Sequence, residues 1–120
     1  MKKILIVEDD PSVAKALAIR LESSGYEVTI APDAMLGIMS ALKNNPDLTV
    51  LDISLPAGNG FTVADRIQEL LPHQTPFIFM TASRQPDLRK KAEILGARAF
   101  FEKPYETEEL LAAIKGALGE

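Results

Sequence analysis

Short unbroken apolar runs alternate with stretches of helical period along the whole chain. Lys3 to Val7 reads Lys-Ile-Leu-Ile-Val, and Leu48 to Leu51 and Phe77 to Met80 are runs of the same kind. Glu27 to Ala31 and Ala97 to Phe101 are weaker ones. Continuous β-branched and leucine runs mark strands covered on both faces, as in parallel sheets. Between them the apolar spacing turns helical. Asp10-Pro11 is an N-cap followed by proline at the first helical position, and predicts a helix to about Ser23, ended by Gly25. Its inner face reads as Val13, Ala16, Leu17 and Leu21, which leaves Ala14, Ala18 and Ile19 over.

A second helix is expected over Ala34 to Lys43, with Leu36, Met39 and Leu42 as its buried stripe. Gly37 inside it costs about 1 kcal/mol against alanine, which points to close packing on the sheet. A third is expected over Phe61 to Leu71, with Phe61, Ala64, Ile67 and Leu71 inward and Pro72 after it. Pro86 opens a fourth, ended by Gly96, and Thr107 is read as the cap of a fifth to Leu118. Five strands alternating with five helices require right-handed crossovers. The expected fold is α/β: one domain over residues 1–120, a three-layer, doubly wound, five-stranded parallel sheet of flavodoxin-like order 2-1-3-4-5.

Composition narrows the function. The 120 residues are 47% hydrophobic and 25% charged, ordinary for a globular chain. A net charge of -4 gives no reason to expect direct nucleic-acid binding. The absence of cysteine excludes disulfides, thiolate catalysis and Cys-ligated zinc, and one histidine, His73, excludes a multi-histidine metal site. Ile4 to Val7 is too short for a signal-peptide core or a membrane span, so a cytoplasmic protein is expected.

The polar residues at the strand ends carry the chemistry. Strand one ends in Glu8 and Asp9, strand three in Asp52, strand four in Thr81 and strand five in Lys103, whereas strand two ends in Ala31-Pro32. Asp10 is read as a helix cap. In a 2-1-3-4-5 sheet the four equipped strands are contiguous around the switch point, where ligands bind. Three carboxylates in one crevice repel each other, and a hard divalent cation is the simplest compensation. Oxygen-only ligands suit Mg²⁺. With Lys103 as a fixed cation and Thr81 as a hydroxyl donor, the group suits a phosphoryl moiety, with Asp52 as nucleophile. Pro56, Gly58 and Gly60 predict an irregular loop after Asp52, less ordered when the metal is absent.

With those residues in place, the chain resembles the receiver domain of two-component response regulators, the CheY-like family. The matching motifs are Ile-Leu-Ile-Val-Glu8-Asp9-Asp10, Leu51-Asp52-Ile-Ser54-Leu-Pro56 with Gly60, Met80-Thr81-Ala82, and Gly96-Ala97 leading to Phe100 and Lys103-Pro104. The resemblance implies that Asp52 is the phosphoacceptor. It implies that Glu8, Asp9, Asp52 and the backbone carbonyl of Ser54 ligate Mg²⁺. It implies that Thr81 and Lys103 contact phosphoryl oxygens, that Phe100 is a switch aromatic acting with Thr81, and that Lys103-Pro104 is cis. It also implies a sensor histidine kinase or histidine phosphotransfer protein as donor, docking on the first helix. An output partner or effector domain would be served by the face of helix four, strand five and helix five.

Opposite charges on that face, Arg89, Lys90 and Lys91 against Glu106, Glu108 and Glu109, are complementary across a two-fold axis, so a phosphorylation-dependent homodimer through it is an expectation. The competing class is a haloacid-dehalogenase-like phosphatase. It is disfavoured because Ser54 stands where such enzymes carry a second acid, and because no cap domain is present. A flavodoxin-type carrier is disfavoured because Val7-Glu8-Asp9-Asp10 puts acids where a phosphate-binding loop needs glycine and hydroxyls. The chain is therefore expected to be a phosphoacceptor rather than an enzyme, limited to self-directed phosphotransfer and autodephosphorylation.

Overall fold

The structure, a computed structural model, describes every residue except Ala57. Five parallel strands form one sheet: β1 (Lys3–Val7), β2 (Glu27–Ala31), β3 (Leu48–Asp52), β4 (Phe77–Thr81) and β5 (Ala99–Glu102). Their order is β2-β1-β3-β4-β5, as expected from the alternation of elements. The register aligns Ala31, Val7, Leu51, Phe79 and Phe100 in one transverse row. Ile30, Ile6, Val50, Ile78 and Ala99 form the next row. Successive rows face opposite sides, so the sheet feeds two cores.

On one side lie α2 (Ala34–Asn44), α3 (Gly60–Leu70) and α4 (Asp87–Leu95); Ala41, Val63, Ala64, Ile67, Leu88 and Ala92 pack there with Leu5, Leu51 and Phe79. On the other lie α1 (Pro11–Ser23) and α5 (Thr107–Ala117); Ala14, Leu17, Leu21, Leu110 and Ile114 pack with Ile4, Ile6, Val50 and Ile78. Strands β3 and β4 are buried along their whole length, which is why they read as unbroken apolar runs.

Three helices begin on a side-chain cap, with Asp10 as expected. Asp10 accepts hydrogen bonds from the N–H groups of Ser12 and Val13 at 2.9 and 3.3 Å, Asp33 from Leu36 at 2.8 Å, and Asn59 from Thr62 at 3.0 Å. Gly37 packs as anticipated: a Cβ there would lie 3.0 Å from Val7 Cγ2.

Four expectations are corrected. Leu36, Met39 and Leu42 are exposed, and α2 instead turns Gly37 and Ala41 inward. A helix with apolar residues nearly all round has no unique inner face by periodicity, and the fit of Gly37 against Val7 selects it. In α1, Ala14 and Ala18 are core rather than surplus, Ala16 is exposed and Val13 is only half-buried. Thr107 is the first residue of α5, not its cap: Glu106 holds that position and makes no capping bond. The segment after Asp52 is ordered into a small antiparallel pair, Ser54–Leu55 with Gly58–Asn59. The expected loosening of the loop from Pro56 to Gly60 falls partly on Ala57, outside the described residues.

One buried hydroxyl gives the fold a pH signature. Tyr26, at the entry to β2, donates to Glu120 Oε1 at 2.7 Å. Burial, then that hydrogen bond, push its pKa from 10.0 up to about 12. A folded-state pKa above the unfolded one contributes stability below the unfolded value, and the contribution is lost as the pH climbs through the folded value. Stability credited to Tyr26 is therefore full below pH 10.0 and falls between there and about 12. Tyr26→Phe is expected to cost about 1 kcal/mol at neutral pH by urea unfolding, and its deficit against wild type should shrink across that alkaline window. A deficit constant with pH would contradict this account.

Candidate functional site

The carboxyl ends of β1, β3, β4 and β5 meet around one ammonium. Lys103 Nζ donates to Glu8 Oε1 at 2.6 Å and to Asp52 Oδ2 at 2.8 Å. Both carboxylates are almost wholly buried, Glu8 at 2% and Asp52 at 4% exposure. Their remaining oxygens are also held: Glu8 Oε2 accepts the Asp10 N–H at 3.1 Å, and Asp52 Oδ1 accepts the Ser54 N–H at 2.9 Å. The backbone fixes the strand ends. Glu8 N–H donates to the Ala31 carbonyl at 3.0 Å, Ile53 N–H to Met80 at 2.9 Å, and Lys103 N–H to Thr81 at 2.8 Å. The Lys103-Pro104 peptide is cis.

The electrostatics follow from burial. Burial raises the Glu8 pKa; the Lys103 hydrogen bond and the Asp10 N–H pull it back, and the Asp52 charge pushes it up again. For Lys103 burial works against the charged form, but the hydrogen bonds to Asp52 and Glu8 prevail and raise its pKa. Lys103 is thus a fixed cation. One ammonium faces two carboxylates, with a third beside them.

That third is Asp9, which is exposed. One carboxylate oxygen from each of Glu8, Asp9 and Asp52 lies within 4.8 Å of the others. The donors are all hard oxygens, two buried and one open to water, and this fits Mg²⁺, which keeps several waters. Thr81 is fully buried at the end of β4, and its Oγ1 accepts the Ser83 N–H at 3.0 Å. Phe100 is half-buried against the core of the α2–α4 side, with the Arg89 guanidinium 4.7 Å above its ring. The structure therefore brings Glu8, Asp9, Asp52 and Lys103 directly together. It sets Thr81 and Ser54 on the two segments that frame them, and places Phe100 two strands away from Asp52.

Two participants escape a reading of the sequence. The Asp10 N–H contact to Glu8 is backbone chemistry with no residue-type signature. Arg89 stood out only as one charge of a basic cluster, and its place over Phe100 is a tertiary contact between α4 and β5. Beside the acids, an open apolar groove of about 630 Å³ runs between α1 and the β5–α5 connection, lined by Val13, Ala16, Leu17, Lys103, Pro104 and Tyr105 among others.

The ion cluster makes a prediction. Lys103→Met leaves two buried carboxylates without their cation, and breaking a buried pair in this way costs about 3–5 kcal/mol. The loss should be largest in chelator near pH 7. It should lessen at lower pH, because Glu8 then binds its proton at an already raised pKa. Mg²⁺ at ten times its Kd should recover about 1.4 kcal/mol. Urea unfolding of the variant with and without Mg²⁺ measures both; a deficit indifferent to pH and Mg²⁺ would contradict the cluster's role.

The doubly wound sheet thus gathers three acids, a lysine and a hydroxyl at its switch point. The family model for the response regulator receiver domain matches residues 4–115. The chain is 35% identical over 119 residues, 98% of its length, to the DNA-binding dual master transcriptional regulator RpaA of Synechocystis, covering 49% of that protein. It is 39% identical over 113 residues to the transcriptional regulatory protein DltR of Streptococcus agalactiae, covering 94% of this chain and 50% of that one. Among solved structures it is similar to a CheY-like receiver domain protein from Methanospirillum hungatei (TM-score 0.92, 31% identity, 99% of this chain and 94% of that one). It is likewise similar to the non-phosphorylated HemR receiver domain from Leptospira biflexa (TM-score 0.90, 34% identity, 100% and 96%). The chain belongs to the response regulator receiver domain family of two-component systems. It spans about half the length of the curated relatives it matches.

Proposed function

We propose that this domain accepts a phosphoryl group on Asp52 and converts it into a change of surface. The observation that carries the reading is the placement of Asp52 against Lys103 with Glu8 and Asp9 alongside. A carboxylate oxygen of Asp52 forms the bond to phosphorus as the phosphorus–nitrogen bond of a phosphohistidine breaks, and the imidazole nitrogen leaves with the electron pair. Glu8, Asp9, Asp52 and the backbone carbonyl of Ser54 would hold Mg²⁺, which when bound supplies positive charge for the phosphoryl oxygens. Lys103, already a fixed cation, turns one of its hydrogen bonds to those oxygens. Thr81 keeps its hydroxyl proton for them, since its oxygen accepts rather than donates in the contact with Ser83.

The new group carries charge near -2 where about -1 stood. Drawing Thr81 toward it opens space beside β4, and Phe100 turns in, leaving Arg89. The face of α4, β5 and α5 is reshaped for output. Within that face Glu108 already pairs with Arg20 of α1, so a dimer through it would rest on Glu106 and Glu109 against the α4 cations. A histidine kinase or histidine phosphotransfer protein is the donor, seated on the apolar groove beside α1. Output passes to an effector, which the transcriptional regulators among the relatives suggest is a transcriptional one. Ser54 spends its N–H on Asp52 and offers no acid for a leaving group, in keeping with self-directed transfer and autodephosphorylation only. No helix among the described residues is long and apolar enough to cross a membrane, and the proposed setting is the cytoplasm.

Incubation with a small acyl phosphate and Mg²⁺ should add the mass of one phosphoryl group, and none in chelator. A protein that never gains the mass refutes the reading.

A further inference from the structure

The second helix carries more apolar surface than its own fold uses. Its core side is Gly37 and Ala41, with Ile38 partly buried beside them. Its opposite side presents Met35 at 72% exposure, Leu36 at 44%, Met39 at 56% and Leu42 at 50%. Met35, Met39 and Leu42 are spaced i, i+4, i+7, so they form one stripe. Rolling the helix to bury that stripe would lift Gly37 off Val7 and bring larger side chains onto a surface where even a Cβ at position 37 would lie 3.0 Å from Val7 Cγ2. A helix apolar on both sides is normally covered on both sides.

The charges say what covers it. Lys43, in the last turn, is the single charged side chain of α2, and Asp33 caps the first turn. Neither takes part in an ion pair among the described residues. A copy of the same helix laid antiparallel about a two-fold axis at Met39 sets Met39 on Met39, Leu36 by Leu42, and each Lys43 near the other copy's Asp33. A parallel pairing would set lysine on lysine. A groove of about 440 Å³ between β2 and α2, lined by Ile30, Leu36, Met39 and Lys43, lies along this stripe. We propose that this face is a self-association surface for a second copy of the chain, at the β2 edge of the sheet and away from the α4–β5–α5 face. A patch of the size of a monomer's largest, about 300–600 Å², doubled across the axis, falls in the range of weak pairs below about 1,200 Å². The dimer is therefore weak and concentration-dependent.

Sedimentation velocity from about 10 μM to about 1 mM, Kd values spanning weak pairing, tests this without any phosphoryl donor, so its failure leaves the phosphoacceptor reading standing. Wild type should shift from monomer to dimer. Met39→Glu and Met39→Lys should each stay monomeric with unchanged circular dichroism and melting, since position 39 is exposed. An equimolar mixture of the two should dimerise at least tenfold more tightly than either variant alone, because position 39 faces itself across the axis and the mixture replaces a like-charge clash with an opposite pair. Lys91→Glu, on α4, should leave the association intact. A wild type monomeric throughout, a Met39→Glu that dimerises like wild type, or a mixture that stays monomeric would overturn the proposal.

Discussion

Asp52→Asn is expected to abolish phosphoryl acceptance outright while leaving the fold nearly as stable as wild type. The amide cannot attack phosphorus as a carboxylate oxygen does, so no mass should be gained from an acyl phosphate even at saturating Mg²⁺. The structural cost is small for an identifiable reason. Asn keeps an oxygen for one of the two contacts that Asp52 makes, to the Ser54 N–H or to Lys103. Lys103 keeps Glu8 at 2.6 Å. The lost contact costs about 1 kcal/mol, and it is offset in part because the Asp52 charge no longer pushes against Glu8. The substitution should also lower the Glu8 pKa toward its ordinary value. Intact-mass measurement after phosphorylation, with urea unfolding in parallel, separates the two effects. An Asp52→Asn chain that gains the phosphoryl mass at the wild-type rate would place the acceptor elsewhere.

The sheet and the acids were legible because burial writes them plainly. Lys3 to Val7, Leu48 to Leu51 and Phe77 to Met80 are covered on both faces, and only unbroken apolar runs survive there. A charge directly after such a run is costly, so Glu8 and Asp52 stand out at the mouth of the sheet, whereas Lys103, which follows the weaker fifth strand, gains meaning only together with them at a corresponding strand end. The helix faces were less legible. In α2 nearly every position is apolar, and the inner face was decided by one small residue, Gly37, meeting Val7. In α1 the inner face includes Ala14 and Ala18 because the helix lies close to the sheet, and alanine is equally at home outside. Thr107 looked like a cap by type, yet the chain enters α5 one residue earlier. The Arg89 contact with Phe100 joins two elements whose juxtaposition depends on the whole fold, and no local pattern announces it.

Gly60→Ala is expected to be the most damaging exchange of a single methyl group in the chain, and Gly116→Ala serves as its opposite. Both glycines are helical, and in a helix alanine is favoured over glycine by about 1 kcal/mol. At Gly116 a Cβ meets nothing within 4 Å, so that gain should appear as a raised urea midpoint. At Gly60 a Cβ would lie 2.5 Å from the Asp52 carbonyl oxygen, 3.0 Å from Ile53 Cα and 3.1 Å from the Asp52 carbonyl carbon. All three are backbone atoms of the segment that carries the acceptor, and they cannot swing aside as a side chain would. The same approach lets the Gly60 N–H reach the Ile53 carbonyl at 2.9 Å. Either α3 lifts from the strand end or Asp52 shifts. Overpacking of this kind costs about 1–3 kcal/mol or more, which exceeds the helical gain. Displacing Asp52 relative to Lys103 should also slow phosphoryl acceptance, by roughly 10²-fold for a shift near 1 Å. The two losses should travel together, since one backbone contact sets both. A Gly60→Ala chain as stable and as readily phosphorylated as Gly116→Ala would show that the approach of α3 to Asp52 does not position the acceptor.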